Sequence, residues 1–396
     1  MKNSTKIGAR MRNCTLGIAV AALLAAAPAR AHEGCAAEAV WTIPGGGGIS
    51  AQTVLGRATG ARVVLLGESH DNADHHRWEL QMATALATLH PRIVLGFEMF
   101  PRRVQAALDR WVAGELTEAQ FLQDADWEHV WGYEADFYLP LFHFARMNRI
   151  PMLALNVERA MVRTVGAQGL AAVPPDELEG VSKPAEPGEE YLSRLFASYA
   201  QHPEKHASAP ALGDPAFRRF VEAQLVWDRA MAQVLGAAAA RDPDILVVGI
   251  MGARHVTHGD GVQHQLKDLG IQNVVSLLPW DHEGDCGEFA TGLASAVYGI
   301  PYMPPAPAAP PPQLLGINID AAPDGVRIVA VGPGSIAEAA GLQAGDVLTE
   351  AAGTAVTTTG ELKNIVVRML PGTWLPLKAK RNGEIIELTA RFPQRK

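Results

Sequence analysis

The sequence predicts an α/β protein: a mostly parallel sheet with flanking helices and a helical insertion, followed by a small α+β domain. Val63-Val64-Leu65-Leu66 leads straight into Gly67-Glu68-Ser69-His70, and Ile93-Val94-Leu95-Gly96-Phe97 leads into Glu98. Ile245-Leu246-Val247-Val248-Gly249-Ile250 likewise leads into Gly252-Ala253-Arg254-His255. Short apolar runs closed by turn residues read as strands buried on both faces, the pattern of a parallel sheet. Helical patterns lie between them, and a proline-rich break at 301–312 sets off a last segment of short strands.

At the N-terminus, Lys2, Lys6, Arg10 and Arg12 precede an apolar run at 16–27, and Ala29-Arg30-Ala31 offers a small-x-small cleavage site. This is a secretory signal peptide over 1–31, too short in its apolar part to span a bilayer. No other stretch approaches that length, so a periplasmic or secreted protein without a transmembrane segment is expected. Of 34 Lys and Arg, five lie in the leader, leaving 29 against 42 Asp and Glu, a net charge of −13. Such a surface argues against nonspecific nucleic-acid binding and against adhesion to anionic membranes. Cys35 and Cys286 remain after cleavage, without zinc-finger spacing. An oxidising compartment permits one disulfide between them, and the sequence leaves bridged and free forms both open.

The first domain is expected over 32–300. Residues 41–50 are glycine-rich and read as irregular. After the first strand, Asp74 is placed to cap a helix ending near 89, with Trp78, Met82, Leu86 and Leu89 on one face. The second strand follows at once, and Pro101 is expected to open the next helix, where its missing N–H costs nothing. The aromatic-dense stretch 127–133 precedes a helix capped by Asp136 that carries Tyr138, His143 and Phe144. Met152-Leu153-Ala154-Leu155 is a further strand, ending in Asn156. Residues 171–215 show little helical pattern, and His202 and His206 read as solvated. A long helix at 214–240 completes an insertion over the sheet edge, a lid. His255 and His258 share a face if a helix starts there, and 274–278 is the last buried strand.

Seven of the twelve residues 301–312 are proline, the composition of an extended linker. In 313–396, strands are expected at 315–319 and 326–331, then a short helix capped by Ser335. An amphipathic helix at 360–370 presents Leu362, Ile365, Val366, Met369 and Leu370, and Asn382-Gly383 joins two final strands.

In open α/β sheets, ligands sit past the carboxyl ends of the strands. Three such ends deliver Glu68, His70, Glu98 and His255 to one edge. Two carboxylates and two imidazoles suffice to hold a divalent metal with a position left for water. Alternatively, one glutamate serves as a general base if burial raises its pKa. Either makes the domain a hydrolase or peptidase, with these four as catalytic and metal-ligating residues. Whether any reaction is catalysed stays open.

Leu314-Leu315-Gly316-Ile317, Gly334-Ser335-Ile336-Ala337 and the run from Ala340-Gly341-Leu342 to Gly345-Asp346-Val347-Leu348 resemble a PDZ domain of the HtrA-protease kind. The resemblance implies capture of a peptide C-terminus. The peptide is added as a strand beside 315–319, its carboxylate held near Leu315 and Gly316, with Leu314 and Ile317 beside it. Leu362, Ile365, Val366 and Met369 form the other wall.

Gly67-Glu68-Ser69-His70, Gly96-Phe97-Glu98-Met99, Tyr138-Leu139-Pro140 and Gly252-Ala253-Arg254-His255 together resemble the ChaN-like haem-binding proteins of the Tiki superfamily. That superfamily also includes erythromycin-esterase-like hydrolases and Tiki metalloproteases. The resemblance implies haem held by a tyrosine with histidine assistance, a role in iron uptake or trafficking, and room for a partner subunit in a homodimer. Tyr138 is the better match for the ligand and Tyr133 the alternative, with His255 and His258 as assisting histidines. A tyrosinate favours ferric iron. No Cys-x-x-Cys-His site for covalent haem is present, so binding is reversible.

Overall fold

The computed structural model describes residues 1, 35–201, 210–281, 286–287, 289–301 and 312–394. The signal peptide, His202, His206 and most of the proline-rich linker lie outside the described residues. Among those described, no helix is long and apolar enough to cross a membrane. The chain divides into two compact units, Met1–Tyr302 and Met303–Lys396.

The first unit opens with β1 (Trp41–Thr42), β2 (Gly48–Ile49) and α1 (Ala51–Thr59). The central elements are β3 (Val63–Glu68), α2 (Ala73–Leu89), β4 (Ile93–Pro101), α3 (Gln105–Ala113), α4 (Glu118–Asp124), α5 (Trp127–Val130), α6 (Ala135–Asn148) and β5 (Met152–Asn156). Then come α7 (Arg159–Gln168), α8 (Glu189–Ala200), α9 (Pro215–Arg241), β6 (Leu246–Gly252), α10 (Val262–Asp268), β7 (Val274–Trp280) and β8 (Ala296–Gly299). The described strands form one sheet in the order β2-β1-β8-β7-β3-β6-β4-β5. From β8 to β5 neighbouring strands run parallel, while β1 and β2 close one edge antiparallel. Every residue of β3, β4 and β6 is buried, as strands covered on both faces must be. One face carries Trp78, Leu108, Trp111 and Phe142 from α2, α3 and α6, and the other carries Met231, Leu235 and Leu266 from α9 and α10. Gly249 pairs with Leu65 and Gly96, and a Cβ there would lie 3.0 Å from Leu235 Cδ1. The missing side chain lets α9 settle directly on the sheet.

Local departures from expectation have local causes. Residues 41–49 form the two short strands β1 and β2, because β8, unmarked by a long apolar run, provides an edge for them. Asn72, not Asp74, caps α2, its Oδ1 accepting from the N–H of Asp74 and His75. Pro101 ends β4, and a 3₁₀ turn separates it from α3. Within 171–215, α8 forms because Tyr191, Leu195, Phe196 and Tyr199 recur at helical spacing and pack on Phe217, Val221 and Leu225 of α9.

The second unit comprises β9 (Ile317–Ala322), β10 (Gly325–Val331), α11 (Ile336–Ala339), β11 (Val347–Ala351), β12 (Thr354–Ala355), α12 (Thr359–Val367), β13 (Trp374–Arg381) and β14 (Glu384–Arg391). Its antiparallel sheet runs β14-β13-β11-β10-β9, which leaves β9 at an edge. The helix expected to reach 370 ends at Val367, capped at its start by the reciprocal Thr358–Glu361 capping box.

Cys35 and Cys286 are joined by a disulfide across a sequence separation of 251 residues. The bridge ties the chain before β1 to the segment before β8. Reduction, or Cys286→Ser, is expected to lower the unfolding free energy of the first unit by about 2–4 kcal/mol through the freed chain entropy. Urea denaturation of the mature chain measures this, and identical midpoints with and without reductant would show that the bond adds no stability.

Candidate functional site

The ends of β3, β4 and β6 bring Glu68, Glu98 and His255 to the expected edge, with His70 one turn beyond β3. Nδ1 of His70 donates to Glu68 Oε1 at 2.5 Å, and the Tyr138 hydroxyl donates to the same oxygen at 3.3 Å. Glu98 is buried, and its Oε2 accepts the Gly252 N–H at 2.7 Å. Nε2 of His255 faces Glu98 Oε1 at 3.5 Å, while its Nδ1 donates to Asp228 Oδ1 at 2.6 Å. Gly252 makes room for the imidazole: a Cβ there would lie 2.9 Å from Cε1 of His70, and the ring would have to shift.

These groups settle into charged pairs. Burial by itself would lower the pKa of His255, but Glu98 and Asp228 on either side raise it to about 10. Burial likewise opposes the charge on His70, and the bond to Glu68 with the field of Glu98 overcomes it, so its pKa rises. Burial would raise Glu98, yet His255 and His70 hold it below the usual carboxylate value. Behind this cluster, His76 donates through Nε2 to the His70 carbonyl at 3.2 Å and pairs through Nδ1 with Glu79 Oε2 at 2.9 Å. Burial pushes Glu79 up to about 7.

Of the four residues expected as metal ligands, His70 pairs with Glu68 and His255 lies toward Glu98, and among the described residues no group of three His, Cys, Asp or Glu side chains is arranged to hold a metal ion. The general-base alternative needs a glutamate pushed upward; Glu98 is pulled downward, and the carboxylate that burial raises is Glu79, behind the expected set.

The aromatic candidates separate by depth. Tyr138 is fully buried against Phe142 and Trp127, and burial beside Glu68 drives its phenol far above the ordinary range. Tyr133 is 37% exposed, its ring 5.0 Å from His70 and 5.6 Å from Trp131. The Arg159 guanidinium lies 5.5 Å over the Trp131 ring. His255 and His258 do not share a face. They sit in successive 3₁₀ turns with His258 at φ +60°, because the Leu293 carbonyl captures the His258 N–H at 2.8 Å.

Sequence reasoning missed Asp228 and Tyr191. Asp228 is wholly buried, and its Oδ2 accepts the Tyr191 hydroxyl at 2.7 Å. The available signal was an acid on the apolar stripe of a long helix, where only a paired charge is tolerated.

In the second unit, Gly316 takes φ +77°, and a Cβ there would lie 2.5 Å from Ser335 Cβ. Leu314 is exposed, while Ile317, Ile365 and Met369 are half-buried beside the β9 edge and α12. Leu315, Leu362 and Val366 are buried in the core of this unit. Met369 lies past the end of α12.

Residues 54–266 match the family described as haem-binding uptake, Tiki superfamily, ChaN, and residues 313–391 match the PDZ domain. No curated protein matches the chain. A structure of cofacial haem binding to ChaN of Campylobacter jejuni is similar over 63% of this chain and 91% of that one, at 18% identity and a TM-score of 0.48. The HtrA-type protease AlgW with decapeptide shares 26% identity over 21% of this chain, with a TM-score of 0.19, and the match spans 29% of that protease's length. The HtrA3 PDZ domain bound to a phage-derived ligand shares 22% identity over 20% of this chain and 82% of that one, with a TM-score of 0.18.

The charged pairs set a pH window for stability. The His255 value is raised from 6.5 to about 10, so its contribution is complete below pH 6.5 and is lost as pH rises through 10. Glu98 is lowered from 4.5, so its contribution is complete above pH 4.5 and is lost as pH falls through the depressed value. Tm measured by circular dichroism is expected to fall from pH 7 to 10 more steeply in the parent than in His255→Gln. Parallel curves would remove His255 as the source of the alkaline limb.

Proposed function

The chain belongs to the ChaN haem-binding family of the Tiki superfamily, and from that premise we propose that its first unit is a periplasmic haem carrier in uptake or trafficking, with Tyr133 as the iron ligand. The observation that carries the assignment is the difference in depth between the two tyrosines. Tyr133 is exposed beside His70 and Trp131, whereas Tyr138 is sealed in the core. The residues present fit the group: a phenol for ferric iron, indole and imidazole rings for the flat macrocycle, and Arg159 for a propionate. Haem, when bound, supplies a ferric centre that takes an anionic oxygen ligand. The chain's own part is to present the phenol, to hold His70 in place through Glu68, and to keep the paired charges behind it dry. The Cys35–Cys286 disulfide supports an oxidising compartment.

Residues 313–391 are a PDZ domain, and its proposed part is to dock a peptide C-terminus along β9. What supports this is the open edge of β9, with the partly exposed apolar side chains of Ile317, Ile365 and Met369 beside it. The module gives the haem carrier a means of attachment to the tail of another protein.

Haemin titration of the mature chain is expected to give a saturable Soret shift of ferric tyrosinate type that is lost in Tyr133→Phe. Tyr138→Phe is expected to keep the spectrum and lose about 1 kcal/mol of stability with its hydrogen bond. Loss of the spectrum in the second variant and not the first would reverse the ligand assignment. For the PDZ domain, a fluorescent peptide with an apolar C-terminal residue is expected to bind at least about tenfold more tightly than its amidated form, the loss of a charge-assisted contact. Equal affinity of the two forms would exclude carboxylate capture.

A further inference from the structure

A cavity of about 1160 Å³ lies between α8, the start of α9 and the ends of β3, β6 and β7. Tyr133, Trp131, His70 and Arg159 form no part of its wall. What distinguishes the wall is hydrogen-bonding capacity left unspent. The Ser69 N–H donates to Nδ1 of His75 at 3.0 Å, which leaves the proton of the neutral ring on Nε2. That nitrogen is buried and has no hydrogen-bond partner, and Asp281 Oδ2, at 3.7 Å, is beyond hydrogen-bond reach. Nε1 of Trp280 is a second buried donor on the same wall without an acceptor. Buried donors are ordinarily satisfied, so two of them on one cavity mark a place for acceptor oxygens.

Charge and shape narrow the ligand. Arg254 donates to Ser198 Oγ at 3.1 Å and has no carboxylate partner among the described residues. Asp260, an acid on the wall, is already neutralised by Arg194. The remaining wall joins the polar Ser69, Gln201, Gln224, Thr257 and Asp281 to an apolar part in which Phe220 and Trp280 lie around Leu278 and Leu293. A bare inorganic anion would leave these rings uncovered, and a cation would meet Arg254. We infer that this cavity binds an organic anion with a flat apolar body, its acidic group taken by Arg254, His75 and Trp280 and its body lying among the aromatic side chains. The site is separate from the haem face.

The probe is 8-anilinonaphthalene-1-sulfonate, titrated by fluorescence into the mature full-length protein. One saturable site is expected, weakened at least about tenfold in Arg254→Gln, the loss of one charge-assisted hydrogen bond. It is expected to be abolished in Ala197→Trp, which places an indole on the cavity wall. Haemin titrations of both variants are expected to match the parent, and far-ultraviolet circular dichroism verifies their fold. Unchanged dye affinity in Arg254→Gln would overturn the site. Displacement of the dye by haemin one for one, with the Soret shift lost in Ala197→Trp, would overturn it differently, by making the cavity the haem pocket. A normal dye site with no Soret shift in the parent would refute the haem reading and leave this one standing.

Discussion

His255 lies with one nitrogen on Asp228 and the other toward Glu98, and the carboxyl edge of the sheet is built outward from that buried triad. Each member comes from a different element: β4, the turn after β6, and α9. A charge this deep is tolerated only when paired, and removing one partner of such a group costs about 3–5 kcal/mol. The triad therefore fixes how α9 lies against the strand ends. Tyr191 extends it to α8, so the helical insertion is held by the same charges that order the edge. His70, between Glu68 and the field of Glu98, is positioned by these groups without joining the triad.

This arrangement separates a protected interior from an accessible face. Glu68, Glu98, His255 and Asp228 are all nearly or wholly buried; His255 is held between Asp228 and Glu98, while Glu68 takes His70 and Tyr138 on one oxygen and leaves its Oε2 without a hydrogen-bond partner. Tyr133 and the edge of His70 are what solvent reaches. The bond to Glu68 holds the neighbouring His70 ring in place. A rigid support beneath the exposed phenol lowers the entropy that side chain would lose on binding a partner.

The same edge is divided by the strand order. Because β6 lies between β3 and β4, with β7 on the far side of β3, the α8 side of the edge opens onto β3, β6 and β7 while the His70 side faces α5 and α6. Two differently lined spaces arise from one set of strand ends. One is an aromatic face with an accessible phenol, and the other a cavity whose buried donors lack acceptors.

The sequence by itself determined the buried strands, the edge at which their polar residues collect, and the PDZ-like second unit. Continuous apolar runs have no other economical fate, and the turn glycines of the second unit tolerate few substitutes. It also placed Glu68, Glu98 and His255 together, because parallel strands deliver their ends to one side. Only the tertiary structure decided depth and partnership. Tyr138 and Tyr133 are five residues apart, and no periodicity tells which one the core absorbs. The carboxylate that pairs with His255 comes from 27 residues upstream, on a helix whose apolar stripe shows that an acid must be paired but not with which residue. Pairing across such distances is set by how α9 packs on Gly249 and Gly96, and a linear pattern does not encode which buried acid meets which imidazole.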